Sequence, residues 1–291
     1  MKGKIIKGIG GFYYVHTLLG KIYECRARGV FRNQKIKPLV GDEVEIEILD
    51  EEKATGNLVE ILSRKNMLIR PSAANIDQAL LLFACTNPEP NYIMLDKLMI
   101  ELTRQDMPVM LCFNKADLDY EEAKRLCKIY ENSCKVQYIS VLAHQGVDEL
   151  RQTLQGKTTI LAGPSGVGKS SLLNHLYPLA QVETGKVSKK IGRGKHTTRH
   201  CEIFCLEKDT YMVDTPGFTS VSLNDILAED LRFYYPEFDE YEGSCRFQGC
   251  VHVNEPDCKV KEAVELGKIS KKRYESYKYI WEEISSQKRY K

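Results

Sequence analysis

No stretch of these 291 residues is apolar over the roughly 20 positions that a membrane-spanning helix needs. The opening MKGKIIKGIGG also lacks an apolar core long enough to direct export. A cytoplasmic protein with no membrane partner is therefore expected. Paired-cysteine signals are missing from most of the chain. Of its 10 cysteines, Cys25, Cys85, Cys112, Cys127, Cys134, Cys201 and Cys205 are scattered. Several sit in apolar runs such as LLLFAC and VMLCF, where a reduced, buried thiol is the natural reading. Net charge is nearly absent as well, at +2. What remains is ordinary for a globular protein, with 43% hydrophobic and 28% charged residues, and the length allows two or three domains.

The small net charge hides a strong segregation. Residues 1–40 carry nine Lys or Arg against the single acid Glu24, and residues 41–60 carry eight acids against Lys53. Residues 186–200 hold six basic side chains and no acid, and residues 269–291 are basic again. Three separate basic blocks in a near-neutral chain favour a polyanionic partner, most simply nucleic acid.

The first sixty residues alternate apolar and polar in five short runs, KIIKGI, FYYVHT, KIYECRAR, DEVEIEIL and NLVEIL. Gly10-Gly11, Leu19-Gly20, the Pro38 to Asp42 corner and Thr55 to Asn57 separate them. Five strands with interleaved Phe12, Tyr13, Tyr14, Tyr23, Arg26 and Arg28 predict a small OB-like barrel, which can bind nucleic acid by stacking and backbone charge. A linker, SRKNMLIRPSAAN, follows.

From Asp77 the pattern changes to strands alternating with helices. Strands are predicted at Gln78–Cys85, Pro108–Phe113, Val136–Ile139, Thr158–Ala162 and Tyr211–Val213. Helices are predicted at Ile93–Thr103, Glu121–Tyr130 and Val147–Leu154, and after Ser170. This order predicts a parallel α/β sheet with ligands at the strand C-termini. Gly163 to Ser170 reads GPSGVGKS, the G-x-x-x-x-G-K-[ST] phosphate loop, in the strand–loop–helix setting it requires. The candidate phosphate contacts are Gly163, Pro164, Ser165, Gly166, Val167, Gly168, Lys169, Ser170 and Ser171. Lys169 would reach the β- and γ-phosphates, and the Ser170 hydroxyl would bind Mg2+.

Asn114, Lys115, Ala116 and Asp117 end the second strand as NKAD. Beside a phosphate loop this tetrapeptide has a specific chemistry. The Asp117 carboxylate can accept from guanine N1–H and the 2-amino group together, whereas adenine would leave it unpaired. The nucleotide is read as GTP. Asp214, in DTPG, would hold Mg2+ through water, and the Gly217 N–H would meet the γ-phosphate. Thr197 or Thr198, in GKHTTRH, would complete the metal shell. Phe218 follows Gly217 where many GTPases carry a water-orienting Gln. That leaves His196 as the candidate to position the attacking water, or alternatively as one member of a basic docking loop. NKAD precedes the phosphate loop here, the reverse of the usual order, as a circular permutation of the sheet would produce.

Cys245-x4-Cys250-x-His252-x5-Cys258 gathers three thiolates and an imidazole within fourteen residues. Such a Cys3His set suits a tetrahedral structural Zn2+ with no open position, worth on the order of 10 kcal/mol to the folding of so short a segment. Helices are predicted beyond it, at Lys259–Leu266 and Ile269–Glu283.

The series NKAD, GPSGVGKSS, GKHTTRH, DTPGF and CRFQGCVHVNEPDCKVKEAVELGKISKKRYESY resembles the RsgA family of circularly permuted ribosome-biogenesis GTPases. PLVGDEV and RKNMLIRP extend the likeness across nearly the whole chain. The resemblance implies an α/β protein of three parts: an OB-fold barrel at 1–66, a permuted GTPase domain at 67–222 and a zinc-binding domain at 223–291. It implies subunit-stimulated GTP hydrolysis during late assembly of the small ribosomal subunit, with rRNA, GTP and GDP as partners of a monomer. Ser140, at the family's guanine-contact element, joins the candidate set, and His196 matches the family's proposed catalytic histidine. Pro164 stands where the family often has Gln. Two rivals remain from the residues alone: a non-hydrolysing, GTP-liganded RNA-binding adaptor, and a P-loop kinase or ATPase.

Overall fold

The structure is a computed structural model that describes residues 1–27, 31, 37–69, 72–178, 202–214, 221–223 and 225–286. The chain divides into two compact units. The first comprises Met1–Leu80, Asp148–Ala162 and Lys169–Phe218, and the second Leu81–Val147, Gly163–Gly168 and Thr219–Lys291. Among the described residues no helix is long and apolar enough to cross a membrane.

In the first unit, strands β1 (Lys2–Ile9), β2 (Phe12–Thr17), β3 (Ile22–Ala27), β4 (Glu43–Asp50) and β5 (Thr55–Ile61) form a closed barrel in the order β1-β2-β3-β5-β4. The two-residue period puts Ile5, Val15, Tyr23, Cys25, Val44, Ile46 and Leu58 inside. Burial of such side chains contributes about 1.5–3 kcal/mol each. An antiparallel β1–β4 pair and a parallel β3–β5 pair complete the circle, which leaves no open edge.

Two local readings change. Thr55 to Asn57 is not a turn but the start of β5. The chain reverses just before it, where Asp50 Oδ1 accepts from the N–H of Glu52 and Lys53 at 3.0 and 2.9 Å, and β-branched Thr55 then pairs across to Glu24. The segment read as a linker also carries regular structure among its described residues. Its strands β6 (Met67–Leu68) and β7 (Ala73–Ala74) pair antiparallel. Arg64 clamps the fully buried Asp42 with two hydrogen bonds, at 2.7 and 2.9 Å.

Six further strands form one sheet in the order β10-β9-β8-β11-β13-β12. They are β8 (Gln78–Ala84), β9 (Val109–Asn114), β10 (Lys135–Tyr138), β11 (Thr158–Ala162), β12 (Glu202–Glu207) and β13 (Thr210–Asp214). β8 and β11 are buried at every position, as central strands covered on both faces are. The sheet is not wholly parallel, as the sequence pattern implied. β12 is an antiparallel edge strand that returns to β13 through Lys208-Asp209, with Asp209 at φ +58°. Such a tight two-residue turn can join only antiparallel neighbours.

The helices are α1 (Tyr92–Thr103), α2 (Tyr120–Tyr130), α3 (Val147–Leu154), α4 (Lys169–Leu176), α5 (Lys259–Glu265) and α6 (Lys271–Ser286). Asn91 caps α1 through the Met94 N–H at 3.0 Å, and Asp119 caps α2 through the Glu122 N–H at 3.0 Å. In the second unit α6 buries Arg273 against α1 and the short turn Pro236–Tyr241. Its guanidinium donates to Asp96 Oδ1 and, at 2.7 Å, to Glu237 Oε1. The Tyr130 and Tyr235 rings cover it at 5.0 and 4.4 Å.

Candidate nucleotide site and metal centre

The candidate base-recognition residues and Gly163–Gly168 of the candidate phosphate loop belong to the second unit. Asn114 ends β9 and is buried. Its Nδ2 donates to the Val167 carbonyl at 2.9 Å, and its Oδ1 accepts from the Val141 N–H at 3.2 Å. One side chain thus joins the NKAD turn, the phosphate loop and the segment after β10. Lys115 adopts the left-handed conformation, φ +65°, and its ammonium donates to the Asn87 carbonyl. Buried Ser140 donates to Asp117 Oδ1 and accepts from the Ala143 N–H at 3.0 Å. Asp117 is half-buried beside the buried Ala116.

The loop glycines are demanded by close approach. Gly163 has φ +145°, and a Cβ there would lie 2.0 Å from the Leu82 carbonyl oxygen. Gly168 has φ +99°, and its Cβ would lie 2.3 Å from Asn114 Nδ2. Any larger residue at either position would break the loop or the Asn114 tie. Ser165 and Gly166 are exposed, Pro164 is half-buried, and Val167 packs inward.

The remaining described candidates belong to the first unit. Lys169 and Ser170 open α4 half-buried, Ser171 is exposed, and Asp214 closes β13 half-buried. Burial holds the Lys169 ammonium below the usual lysine range, and the Asp214 carboxylate opposes that shift. A half-buried cation beside a helix N-terminus is suited to an anionic phosphate. The hydroxyl of Ser170 and the carboxylate of Asp214 are the hard oxygen donors that Mg2+ prefers. His196, Thr197, Thr198 and Gly217 lie outside the described residues.

Cys245, Cys250, His252 and Cys258 converge in the second unit, with all four ligand atoms within 4.8 Å of one another. Cys245 Sγ lies 3.8 Å from Cys258 Sγ, and His252 Nδ1 lies 3.6 and 3.3 Å from those two sulfurs. Tetrahedral Zn–S bonds of about 2.3 Å set sulfurs about 3.8 Å apart, so this cluster can hold a zinc ion. Burial pushes the Cys250 and Cys258 thiols up, a cost that a divalent cation reverses. Two carboxylates absent from the sequence reading support the cluster. Glu242 Oε2 lies 3.4 Å from His252 Nε2, the arrangement that orients a metal-binding imidazole. Glu255 accepts from the N–H groups of Val251, Val253 and Asn254 at 2.8, 3.1 and 3.1 Å, and so shapes the ligand loop. An acid placed between His252 and Cys258 was the available signal for Glu255. Glu242 lies outside the motif and gave none.

Comparison with known proteins gives a consistent result. The family models described as RsgA N-terminal domain and RsgA GTPase match residues 2–55 and 61–224. A relative from Agathobacter rectalis, named small ribosomal subunit biogenesis GTPase RsgA, is 52% identical, with 100% of each chain covered. The crystal structure of YjeQ from Thermotoga maritima superposes with a TM-score of 0.80 at 34% identity, covering 99% of both chains. That of YloQ, described as a circularly permuted GTPase, gives 0.76 at 36% identity, covering 99% of this chain and 96% of the other.

Proposed function

The chain belongs to the RsgA GTPase family, and on that premise we propose that it hydrolyses GTP while assisting biogenesis of the small ribosomal subunit, whose rRNA it contacts. In this reading residues 1–66 form an OB-fold domain, 67–222 the permuted GTPase domain and 223–291 the zinc-binding domain of a cytoplasmic monomer that binds GTP and GDP. The observation that carries the reading is the Asn114 amide, which ties the NKAD strand to the phosphate-loop carbonyl of Val167 at 2.9 Å.

Asp117, oriented by Ser140, accepts from the guanine edge, and the Lys115 stem covers the base. Backbone N–H groups of Gly163 and Ser165–Gly168 cradle the phosphates, and Lys169 neutralises charge at the β- and γ-phosphates. Mg2+, when bound, draws charge from those phosphate oxygens. Ser170 and Asp214 would hold it, with Thr197 or Thr198 and the Gly217 N–H completing the γ-phosphate side. Phe218 offers no hydrogen bond, so water positioning falls to His196. Cys245, Cys250, His252 and Cys258 hold one structural Zn2+.

Single-turnover GTP hydrolysis, with and without isolated small subunits, tests the proposal. Stimulation by small but not large subunits is expected. No hydrolysis in either arm would leave a GTP-liganded RNA-binding adaptor. Asp117→Asn should weaken GTP binding about 10- to 100-fold, the worth of a charged hydrogen bond, and favour xanthosine triphosphate. An unchanged preference in a folded variant removes Asp117 from base recognition.

A further inference from the structure

Within the first unit, β1 of the barrel meets the β12–β13 hairpin, and the contacts are polar. Lys4 Nζ donates to Thr158 Oγ1, at the start of β11, at 3.1 Å, and lies 5.0 Å from the centre of the Tyr211 ring. His16, paired with Lys4 across β1–β2, places Nδ1 3.2 Å from the Tyr211 hydroxyl. Three residues along β1, Lys7 Nζ meets Glu202 Oε1 at 2.8 Å. Glu202 is the residue directly opposite Asp214 in the antiparallel pair. β1 therefore holds the hairpin at both ends, at Tyr211 and at the rung carrying Asp214.

This arrangement depends on an irregularity in β1. Side chains three apart on a regular strand point to opposite faces. The β1–β2 register shifts between Ile5 and Lys7, and one extra residue there turns Lys4 and Lys7 toward the same side. Without the bulge, one of the two lysines would face the barrel interior. The bulge buys the barrel a second grip on the hairpin.

We propose that Lys7 is a positioning residue for the strand that presents Asp214. Its ion pair with Glu202 holds the Asp214 rung in place, so that the barrel and Mg2+-dependent nucleotide binding are coupled. The proposal rests on the reading of Asp214 given above. Tyr211 is buried and forms the fixed end of the hairpin. The Lys7–Glu202 pair is 34% and 45% exposed, and so is the end that can part.

The test uses the full chain and two readouts: the Mg2+ concentration at half-maximal tightening of a fluorescent guanine nucleotide, and amide exchange over Glu202–Glu207 without nucleotide. Lys7→Glu and Glu202→Lys should each raise the Mg2+ midpoint about two- to fivefold, the range open to a half-exposed ion pair, and speed exchange in β12. The double charge swap should restore both, and Lys7→Arg should change neither. Nucleotide affinity measured with Mg2+ omitted should stay unchanged, because Lys7 does not reach the nucleotide; a general loss of fold would lower it too. Wild-type midpoints and exchange in the folded single reversals would overturn the proposal, as would a folded swap that restores neither. A wild-type chain with no Mg2+-dependent guanine-nucleotide binding would overturn the site reading and the coupling together, while β12 exchange in that chain would still report the ion pair alone.

Discussion

The barrel and residues 225–286 each bury an apolar cluster, by different means. Inside the barrel seven of the eight buried apolar residues come from strand alternation, Phe31 being the exception, and the closed ladder satisfies the backbone. Residues 225–286 contain two helices and two short 3-10 turns, with no ladder to organise their loops. There the chain is held by side chains: three thiols and an imidazole in one cluster and a guanidinium buried between two carboxylates. Tyr274 and Tyr277 reinforce the ligand loop by donating to the carbonyls of His252 and Val251. A segment that cannot pair its own backbone into sheet depends on a few strong cross-links, so its stability is concentrated in few residues. In the barrel stability is spread over many residues.

Metal removal should separate the two regions most sharply. Cys250→Ser, or chelation of the wild-type chain, should cost residues 225–286 folding free energy on the order of 10 kcal/mol. Exchange protection should vanish there while the barrel amides stay protected. A metal-free chain with both regions protected would end the contrast. Arg273→Met comes next, at about 3–5 kcal/mol, because it leaves Asp96 and Glu237 buried without their cation. Urea unfolding followed by the single tryptophan, Trp281 in α6, reads it directly. Leu58→Ala should cost about 2–4 kcal/mol and appear only in the barrel, as a cavity in an otherwise intact ladder. A loss above that range would mean the barrel, too, rests on single residues. The smallest effect is expected at Arg246, whose 2.6 Å pair with Asp257 is 67% and 62% exposed. Arg246→Ala should change stability by less than about 0.5 kcal/mol in the same unfolding assay. Only desolvated ions would then count among the cross-links.

What could be read in advance follows the range of the interaction. Phosphate loop, NKAD and Cys3His cluster are each contiguous or nearly so, and their chemistry requires fixed residue types at fixed spacing. Gly163 and Gly168 are such a case, because the left-handed backbone they supply is a local property. Barrel strands were legible for a similar reason: Val15 and Thr17, or Tyr23 and Cys25, reveal an inward face by period two alone. The β12 edge strand was not, since the burial of EIFCLE depends on its neighbour β13. Glu242 and the pairing of Met67–Leu68 with Ala73–Ala74 were hidden for the same reason.

By itself, then, the sequence determined most of the elements, the order of the motifs and the residue types each motif brings together. Tertiary structure alone decided which distant residues meet: Asn114 with Val167, 53 positions apart; Arg273 with Asp96, 177 apart; Lys7 with Glu202, 195 apart. An isolated amide, guanidinium or ammonium carries no mark of its partner, because its hydrogen bonds are satisfied equally well by water until packing removes the water. Only when β1 lies along the hairpin, or α6 against α1, does the lost hydration select one carboxylate over all others.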